Sequence, residues 1–387
     1  MLRVDSDKFD GDASRMPVTL STAERERYSR HLLLPEIGAA GQERLKAARV
    51  AIVGAGGLGS PAALYLAAGG VGTLGIIDSD RLDISNLQRQ VLYDSGEVGQ
   101  PKAALARTRL MALNPEIAVH AHVLELRAAN IVDLFNRYDL IIDGSDRLAT
   151  RYLVNDACVL LRKPLISAAI HRFEGQAMTY VPDRGPCYRC LFADGSDDVV
   201  PNCAEAGVLG VLPGVLGAIQ ATEAIKLILG VGKPLIGRLL TYDALELRFR
   251  ELRFQRRRDC AVCGETPSIT APQDPPGYCG EDELRGVRRL SAAQLQALLQ
   301  ERGEPPLLVD VREPEEFAAG HLASALNIPL GQLAARLTGL PRERPAVFIC
   351  LSGARSLRAC VFAARAGLAT PLHLEGGMRA WSATTRR

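Results

Sequence analysis

Apolar residues fall into short runs separated by glycine turns through most of the chain, and the runs alternate between strand-like and helix-like patterns. Between Arg49 and Asp78 the order is an apolar strand, the turn from Gly54 to Gly59, an apolar helical stretch, the Gly69-Gly70 pair and a second strand. That order predicts a parallel strand–helix–strand unit, and the alternation continues to about residue 247. Residues 1–20 mix Asp, Ser and Arg without apolar periodicity and read as a flexible tail, whereas Ser21-Thr22-Ala23-Glu24 is a capping-box start for a helix. The stretch 267–286 is rich in Pro, Asp, Glu and Gly and reads as a linker. Beyond it, strands at Leu307, Val347 and Leu372 alternate with helices at Ser291, Glu315 and Gly353. The predicted fold class is α/β throughout: a Rossmann-like domain over 21–266 and a smaller α/β domain over 287–387, with no internal repeat. The most apolar stretch, 208–230, is interrupted by Pro213, Glu223 and Lys226, which predicts a core helix rather than a membrane span.

A length of 387 residues with 47% hydrophobic content accommodates two or three cores. Net charge is only +2 despite 46 basic residues, so no global field argues for nucleic acid or a membrane. Arg248, Arg250, Arg253, Arg256, Arg257 and Arg258 do cluster, but only Phe249 and Phe254 are interleaved with them; a solvated strand edge is the first reading and docking of an acidic protein the second. Nine cysteines without a basic-then-apolar leader predict a reducing, cytoplasmic setting where thiols bind metal or do chemistry.

The turn Gly54-Ala55-Gly56-Gly57-Leu58-Gly59 lies between a strand and an apolar helix, so Gly54, Gly56, Gly57 and Gly59 permit a tight turn and close approach of a phosphate to the helix N-terminus. Asp78 closes the next strand at a position suited to ribose hydroxyls. A nicotinamide dehydrogenase explains that much equally well. The segment Ser85-Asn86-Leu87-Gln88-Arg89-Gln90, followed by Gly99-Gln100-Pro101-Lys102, decides against it by adding two cations and several amides. Attack at the α-phosphate of ATP needs such groups, because charge grows on the phosphoryl oxygens and the departing pyrophosphate. Ile141-Ile142-Asp143-Gly144-Ser145-Asp146 ends a further strand with two carboxylates, which suits Mg²⁺.

Residues 21–266 closely resemble the MoeB/ThiF adenylyltransferases of the ubiquitin-activating-enzyme superfamily. The likeness rests on Arg27-Tyr28-Ser29-Arg30, Gly54 to Gly59, Asp78, Asn86-Leu87-Gln88-Arg89-Gln90, Lys102, Asp146, Cys187-Tyr188-Arg189-Cys190 and Cys203 to Gly207. It implies ATP binding by Gly57, Asp78, Asn86, Arg89 and Lys102, with Asp146 on magnesium. It also implies a homodimer, because Arg30 matches an arginine that family members insert into the partner subunit's site. One position departs: the family usually has Asn after the magnesium aspartate, and here Arg147 stands there, so adenine-side or metal-side contacts are expected to differ.

Cys187-Tyr188-Arg189-Cys190 and Cys260-Ala261-Val262-Cys263 supply two knuckles, the spacing of a structural Zn²⁺ site with all four ligands from protein. A redox dithiol would use one pair at a helix start. Cys203 matches the family position where some members carry a thiol that joins the carrier; the competing reading is a small buried cysteine. Cys158 and Cys360 are expected in cores, and Cys279 falls in the linker. His31 and His171 are expected in core or surface roles.

The segment Cys350-Leu351-Ser352-Gly353-Ala354-Arg355-Ser356 follows an apolar strand and opens a helix. Such a loop is expected to aim several backbone N–H groups at the sulfur, with Arg355 and the helix N-terminus adding positive potential. Asp310-Val311-Arg312, Gly320-His321-Leu322, Asn327-Ile328-Pro329 and the terminal Gly376-Gly377-Met378-Arg379-Ala380-Trp381 surround it in the order of the rhodanese family, which the segment closely resembles. The resemblance implies that Cys350 carries a transferable persulfide and that Asp310, Arg312 and His321 are structural.

Together these readings predict ATP-dependent adenylation of the C-terminal glycine of a ubiquitin-like sulfur-carrier protein ending in Gly-Gly. Sulfur from a Cys350 persulfide, charged by thiosulfate or a cysteine desulfurase, then gives a thiocarboxylate, with molybdopterin biosynthesis as the first pathway expected. Supply for thiamine, cysteine or another sulfur metabolite, and tRNA thiolation or protein conjugation, are alternatives within the class. A nicotinamide oxidoreductase or a non-catalytic scaffold fused to a rhodanese domain are alternatives outside it.

Overall fold

The computed structural model describes residues 18–193, 207–274, 286–301 and 305–385. Cys203 and Cys279 lie outside these residues. The chain divides into two compact units, Met1–Pro275 and Pro276–Arg387.

Glycine turns and apolar strands in the first unit build an eight-stranded sheet from β1 (Arg49–Val53), β2 (Thr73–Ile77), β3 (Ala118–His122), β4 (Leu140–Asp143), β5 (Leu165–His171), β6 (Glu174–Tyr180), β7 (Arg238–Asp243) and β8 (Arg248–Arg253), in spatial order β3-β2-β1-β4-β5-β6-β7-β8. The first five neighbours pair in parallel; β6, β7 and β8 extend the sheet antiparallel. Strand order reverses direction between β1 and β4, so the crevice at their C-terminal ends is the topological switch point where such sheets bind ligands. Val50, Ala51, Ile52, Leu140, Ile141 and Ile142 are fully buried, as strands covered on both faces require.

Helix Leu212–Leu229 is the one described helix with the length and apolarity to cross a membrane. It packs against β5, β6 and the Gly59–Ala68 helix, and its polar residues are spoken for inside the unit. Glu223 accepts from Thr179 Oγ1 at 2.7 Å and from Leu235 N at 2.7 Å, and it pairs with Lys226. Gln220 Nε2 donates to the Asp143 carbonyl at 2.7 Å. The basic run begins on β8, every residue of which is exposed at the sheet edge. Acids meet part of the run: Arg248 pairs with Glu246 and Arg257 with Asp259.

The capping box at Ser21 forms, with Ser21 Oγ accepting from Glu24 N at 3.1 Å and Glu24 Oε2 accepting from Ser21 N at 2.7 Å. Asn114, fully buried, fastens three helices: its Nδ2 donates to Tyr28 Oη at 2.8 Å and to the Ala67 carbonyl at 2.7 Å.

The second unit is a parallel five-stranded sheet in the order β11-β10-β12-β13-β9, where β9 is Arg288–Leu290, β10 Leu307–Asp310, β11 Leu326–Asn327, β12 Ala346–Ile349 and β13 Pro371–Leu374. The apolar pattern predicts only β10, β12 and β13, the three central strands. Strands β9 and β11 are the edges, too short and too little buried to carry an apolar signature. Asp310 and Arg312 are buried together, Nη2 to Oδ2 at 2.7 Å, and Arg312 also donates to the Gly320 carbonyl at 2.7 Å. His321 is exposed and stacks on Phe317 with ring centroids 3.8 Å apart.

Asn114→Ala is expected to destabilise the first unit by about 1–3 kcal/mol, because the buried Tyr28 hydroxyl loses the amide that donates to it and the Ala67 carbonyl keeps only the Gly70 N–H. Urea unfolding monitored by circular dichroism reads the difference.

Candidate functional site

The turn after β1 is built by backbone contact that only glycine tolerates. A Cβ on Gly59 would lie 1.8 Å from the Gly54 carbonyl oxygen, and one on Gly54, at φ +86°, would lie 2.9 Å from the Gly144 carbonyl oxygen. The turn leaving β1 and the loop leaving β4 therefore touch across the switch point. A Cβ on Gly57 would meet Pro213 at 3.2 Å and the Arg89 stem at 3.5 Å, so Arg89 flanks the same turn. Gly56 faces Gln90 at 3.7 Å by the same measure.

Asp78, at the end of β2, accepts from Ala55 N at 2.7 Å and from Asp80 N at 2.8 Å. Burial raises its pKa to about 6, the neighbouring Asp80 charge adds to that, and Lys102 with the two N–H donors opposes it. The pair Asp80–Lys102, Oδ2 to Nζ at 3.0 Å, was not foreseen from sequence. Lys102 is almost wholly buried there while Asp80 is open to solvent. Tyr93 is also new: its hydroxyl donates to the Ala55 carbonyl at 2.8 Å and braces the turn from beneath. The Asn86 carboxamide oxygen accepts from Asp83 N at 3.2 Å, and Arg89 Nη1 donates to the Ser85 carbonyl at 3.0 Å, so both are held in a local loop.

The two carboxylates at the end of β4 and in the loop that leaves it have separate fates. Asp143 is fully buried. Its oxygens accept from Ser145 Oγ at 2.6 Å and Ser167 Oγ at 3.1 Å, and lie 3.5 Å from Arg151 Nε. Only Asp146 stands exposed at the loop. One exposed carboxylate beside a phosphate turn fits Mg²⁺, which binds one or two carboxylates and takes its remaining ligands from phosphate and water. Arg147 points elsewhere, pairing with Glu125 at 3.2 Å. Arg30 lies next to His31, whose ring bonds Gln42 at 2.9 Å; Gln42 in turn donates to the Gly69 carbonyl at 2.9 Å. Gly69 caps the far end of the Gly59–Ala68 helix, which at ten residues spans about 15 Å, so Arg30 stands a helix length from the phosphate turn of its own chain.

The sulfurs of Cys187, Cys190, Cys260 and Cys263 all lie within 4.8 Å of one another and are buried. Neighbouring pairs are separated by 3.9 Å, 3.6 Å and 3.3 Å. A tetrahedron with Zn–S near about 2.3 Å has sulfurs about 3.8 Å apart, so the donor set and its size fit zinc. Among themselves the thiols compete for protons: hydrogen bonds from its neighbours push Cys260 far down, while those to Cys190 and Cys260 push Cys187 far up. A bound dication would relieve that competition by holding all four as thiolates. The cluster is tied to the helix Leu148–Leu160 that follows Asp146: Asn155 Oδ1 accepts from Tyr188 N at 2.8 Å, and Asp156 takes both nitrogens of Arg189 at 2.7 Å and 2.8 Å.

In the second unit Cys350 follows β12 and is 1% exposed. Gly353 N donates to its sulfur at 3.1 Å, and Ser356 Oγ lies 3.4 Å away. Among the described residues one backbone N–H, that of Gly353, reaches the sulfur, and Arg355 is clasped by Glu316 at 2.7 Å and 2.8 Å, which gives the sulfur less positive potential than the loop composition suggests. Cys158 and Cys360 are buried in the two cores, where burial raises both thiols.

Residues 28–262 match the ThiF family and residues 291–384 match the rhodanese-like domain. The chain belongs to the ThiF family. It is 45% identical, over 94% of its own length and 94% of the relative's, to a probable adenylyltransferase/sulfurtransferase MoeZ of Mycobacterium tuberculosis. It is 51% identical to the sulfur carrier protein adenylyltransferase of Thermus thermophilus, over 66% of this chain and 97% of the relative. Among solved structures, E. coli MccB with ATP superposes on 63% of this chain and 75% of its own at a TM-score of 0.54 and 27% identity. Within the ThiF region the structure gathers Gly54, Gly56, Gly57, Gly59, Asp78, Arg89, Lys102 and Asp146 around one crevice; it turns Arg147 toward Glu125 and leaves Arg30 apart. Asp80 and Tyr93 had a signal available, an acid two residues beyond Asp78 and a lone aromatic beyond the amide-rich loop, but neither separates from ordinary surface or core residues without the fold.

Asp143→Asn is expected to cost about 3 kcal/mol by leaving Arg151 buried without its carboxylate, whereas Asp146→Asn should change stability by less than about 0.5 kcal/mol. Parallel urea titrations test the division; equal losses would show that Asp146 also carries structure.

Proposed function

We propose that this chain activates and thiolates the C-terminus of a ubiquitin-like sulfur-carrier protein ending in Gly-Gly. The observation that carries the reading is the union in one chain of a phosphate turn flanked by Arg89, Lys102 and Asp146 with a buried cysteine sulfur under a backbone N–H donor. The relative named a sulfur carrier protein adenylyltransferase supports the first activity, and the one named adenylyltransferase/sulfurtransferase supports the pair.

In the first step the terminal carboxylate of the carrier attacks the α-phosphorus of ATP and pyrophosphate leaves. Gly54, Gly56, Gly57 and Gly59 admit the phosphates, Asp78 takes the ribose, and Asn86, Arg89 and Lys102 meet the growing charge. Asp146 would hold Mg²⁺, which would supply charge neutralisation at the phosphate oxygens. Arg30 completes the site of a second copy in a homodimer. In the second step the outer sulfur of a Cys350 persulfide, charged by thiosulfate or a cysteine desulfurase, attacks the acyl carbon and AMP leaves, giving an acyl disulfide. A thiol, assigned to Cys203, then attacks the Cys350 sulfur; the sulfur–sulfur bond breaks toward the carrier, releasing the thiocarboxylate and leaving a Cys203–Cys350 disulfide. Zn²⁺ on Cys187, Cys190, Cys260 and Cys263 is structural, since no coordination position remains for substrate. We assign the product to molybdopterin biosynthesis, and the setting to the cytoplasm.

Incubation with Gly-Gly-ending carriers, ATP, Mg²⁺ and thiosulfate should exchange one carrier oxygen for sulfur by intact mass. The exchange should vanish in Lys102→Ala and in Cys350→Ala, with pyrophosphate release surviving only in the latter. Sulfur gain without ATP or without Cys350 would sink the two-step reading.

Metal analysis should find one zinc per chain, and Cys260→Ser should lose it together with several degrees of thermal stability. Full stability in metal-free protein would refute a structural role for the ion.

A further inference from the structure

Beneath the Cys350 loop lies a second layer of polar groups that sulfur transfer as described does not use. Ser356 Oγ is 3.4 Å from Cys350 Sγ, 3.1 Å from the Gly353 carbonyl oxygen and 2.9 Å from His373 Nδ1. Ser356 is 0% exposed and His373 4%, so the hydroxyl has no water to turn to and its single hydrogen must choose among these three partners. His373 sits in the middle of β13, on a strand otherwise apolar at its buried positions, and its ring lies against Gly353, where a Cβ would come within 3.1 Å of Cε1.

Burial lowers the pKa of His373 and keeps its ring neutral, so Nδ1 is a donor in one tautomer and an acceptor in the other. With Nδ1 bare, Ser356 donates to it and offers the sulfur only lone pairs, an arrangement that suits the thiol. With the proton on Nδ1, the ring donates to Ser356 Oγ, and the hydroxyl hydrogen is freed for the sulfur, an arrangement that suits a thiolate or a persulfide anion. We infer that His373, acting through Ser356, is a positioning residue that aims the Ser356 hydroxyl at the Cys350 sulfur in its anionic forms. The inference rests on the reading of Cys350 as the sulfur-carrying nucleophile.

Charged groups facing this pair do not override a single hydrogen bond. Arg289, the register partner of His373 on β9, is matched by Glu375 at 3.7 Å. Arg355 is matched by Glu316, and Cys360, on the helix behind Cys350, is a buried thiol held neutral by its raised pKa. The sulfur is left with the Gly353 N–H and the Ser356 hydroxyl as its near donors.

The test is the alkylation rate of Cys350 by iodoacetamide in the full chain, followed on the Cys350 peptide by mass spectrometry from pH 5 to 10. Only the thiolate reacts, so the profile titrates the sulfur without ATP, sulfur donor or carrier, and failure of the carrier reading leaves the result intact. His373→Leu and Ser356→Ala should each raise the midpoint by about one pH unit, and the double variant should shift it no further. His373→Asn, which places an amide N–H near Nδ1, should restore the wild-type midpoint. An unshifted midpoint in Ser356→Ala overturns the inference even where His373→Leu fails to fold. Additive shifts in the double variant, or a His373→Asn profile matching His373→Leu, overturn the route through serine.

Discussion

Backbone pressed against backbone at the β1–β4 crevice is the constraint on which the first unit depends. Gly59 packs its missing side chain on the Gly54 carbonyl, and Gly54 packs against Gly144. The same residues are fixed from the strands, with Gly54 N donating to Ile77 O at 2.8 Å and Gly144 N to Val53 O at 2.8 Å. Three consecutive strands in the sheet thus end in loops whose backbones are mutually registered. A Cβ at Gly54 or Gly59 would separate the turn that admits phosphate from the loop that carries Asp146. The placement of the candidate magnesium carboxylate follows from steric exclusion at glycine, and only afterwards from charge.

Burial then divides labour among acids of similar sequence context. Asp143 spends its oxygens on Ser145, Ser167 and Arg151 and so fixes the loop. Asp146, three residues on, is left open because the internal donors are already taken. The helix that starts after it carries Asn155 and Asp156, which hold Tyr188 and Arg189 of the cysteine knuckle. Nucleotide crevice and cysteine cluster are therefore tied to one helix, the Asp146 loop at its N-terminal end and the knuckle along its second half.

Much of this was legible in sequence because the responsible residues are chemically uncommon in their context. Clustered glycines after an apolar strand, paired cysteines at metal spacing and a cysteine opening a helix each have few structural explanations. What the sequence hid were pairings decided by distance across the fold. Asp143 and Asp146 look equivalent until Arg151 is seen beneath one of them. Arg355 looks like a free cation beside Cys350 until Glu316, thirty-nine residues earlier, is seen to hold it. Strands β9 and β11 escaped because edge strands of two or three residues have no alternation to read. His373 was invisible for the opposite reason: it occupies a buried place in an apolar strand, where its partner, seventeen residues away, belongs to the loop above.

The burial of Cys350 bears on which sulfur moves. A sulfur 1% exposed and bonded by Gly353 N–H is poorly placed to attack a carbonyl carried by another protein. Adding a second sulfur extends the nucleophile by about 2.0 Å beyond Sγ, the length of one sulfur–sulfur bond. In the proposed reaction the pocket that hides the inner atom thus leaves the outer one to attack the acyl carbon, and it is the outer atom that departs with the carrier when a second thiol takes the Cys350 sulfur. Under the proposed reaction, a loop that buries its cysteine protects the resting thiol and leaves different work to the two sulfurs of the charged form.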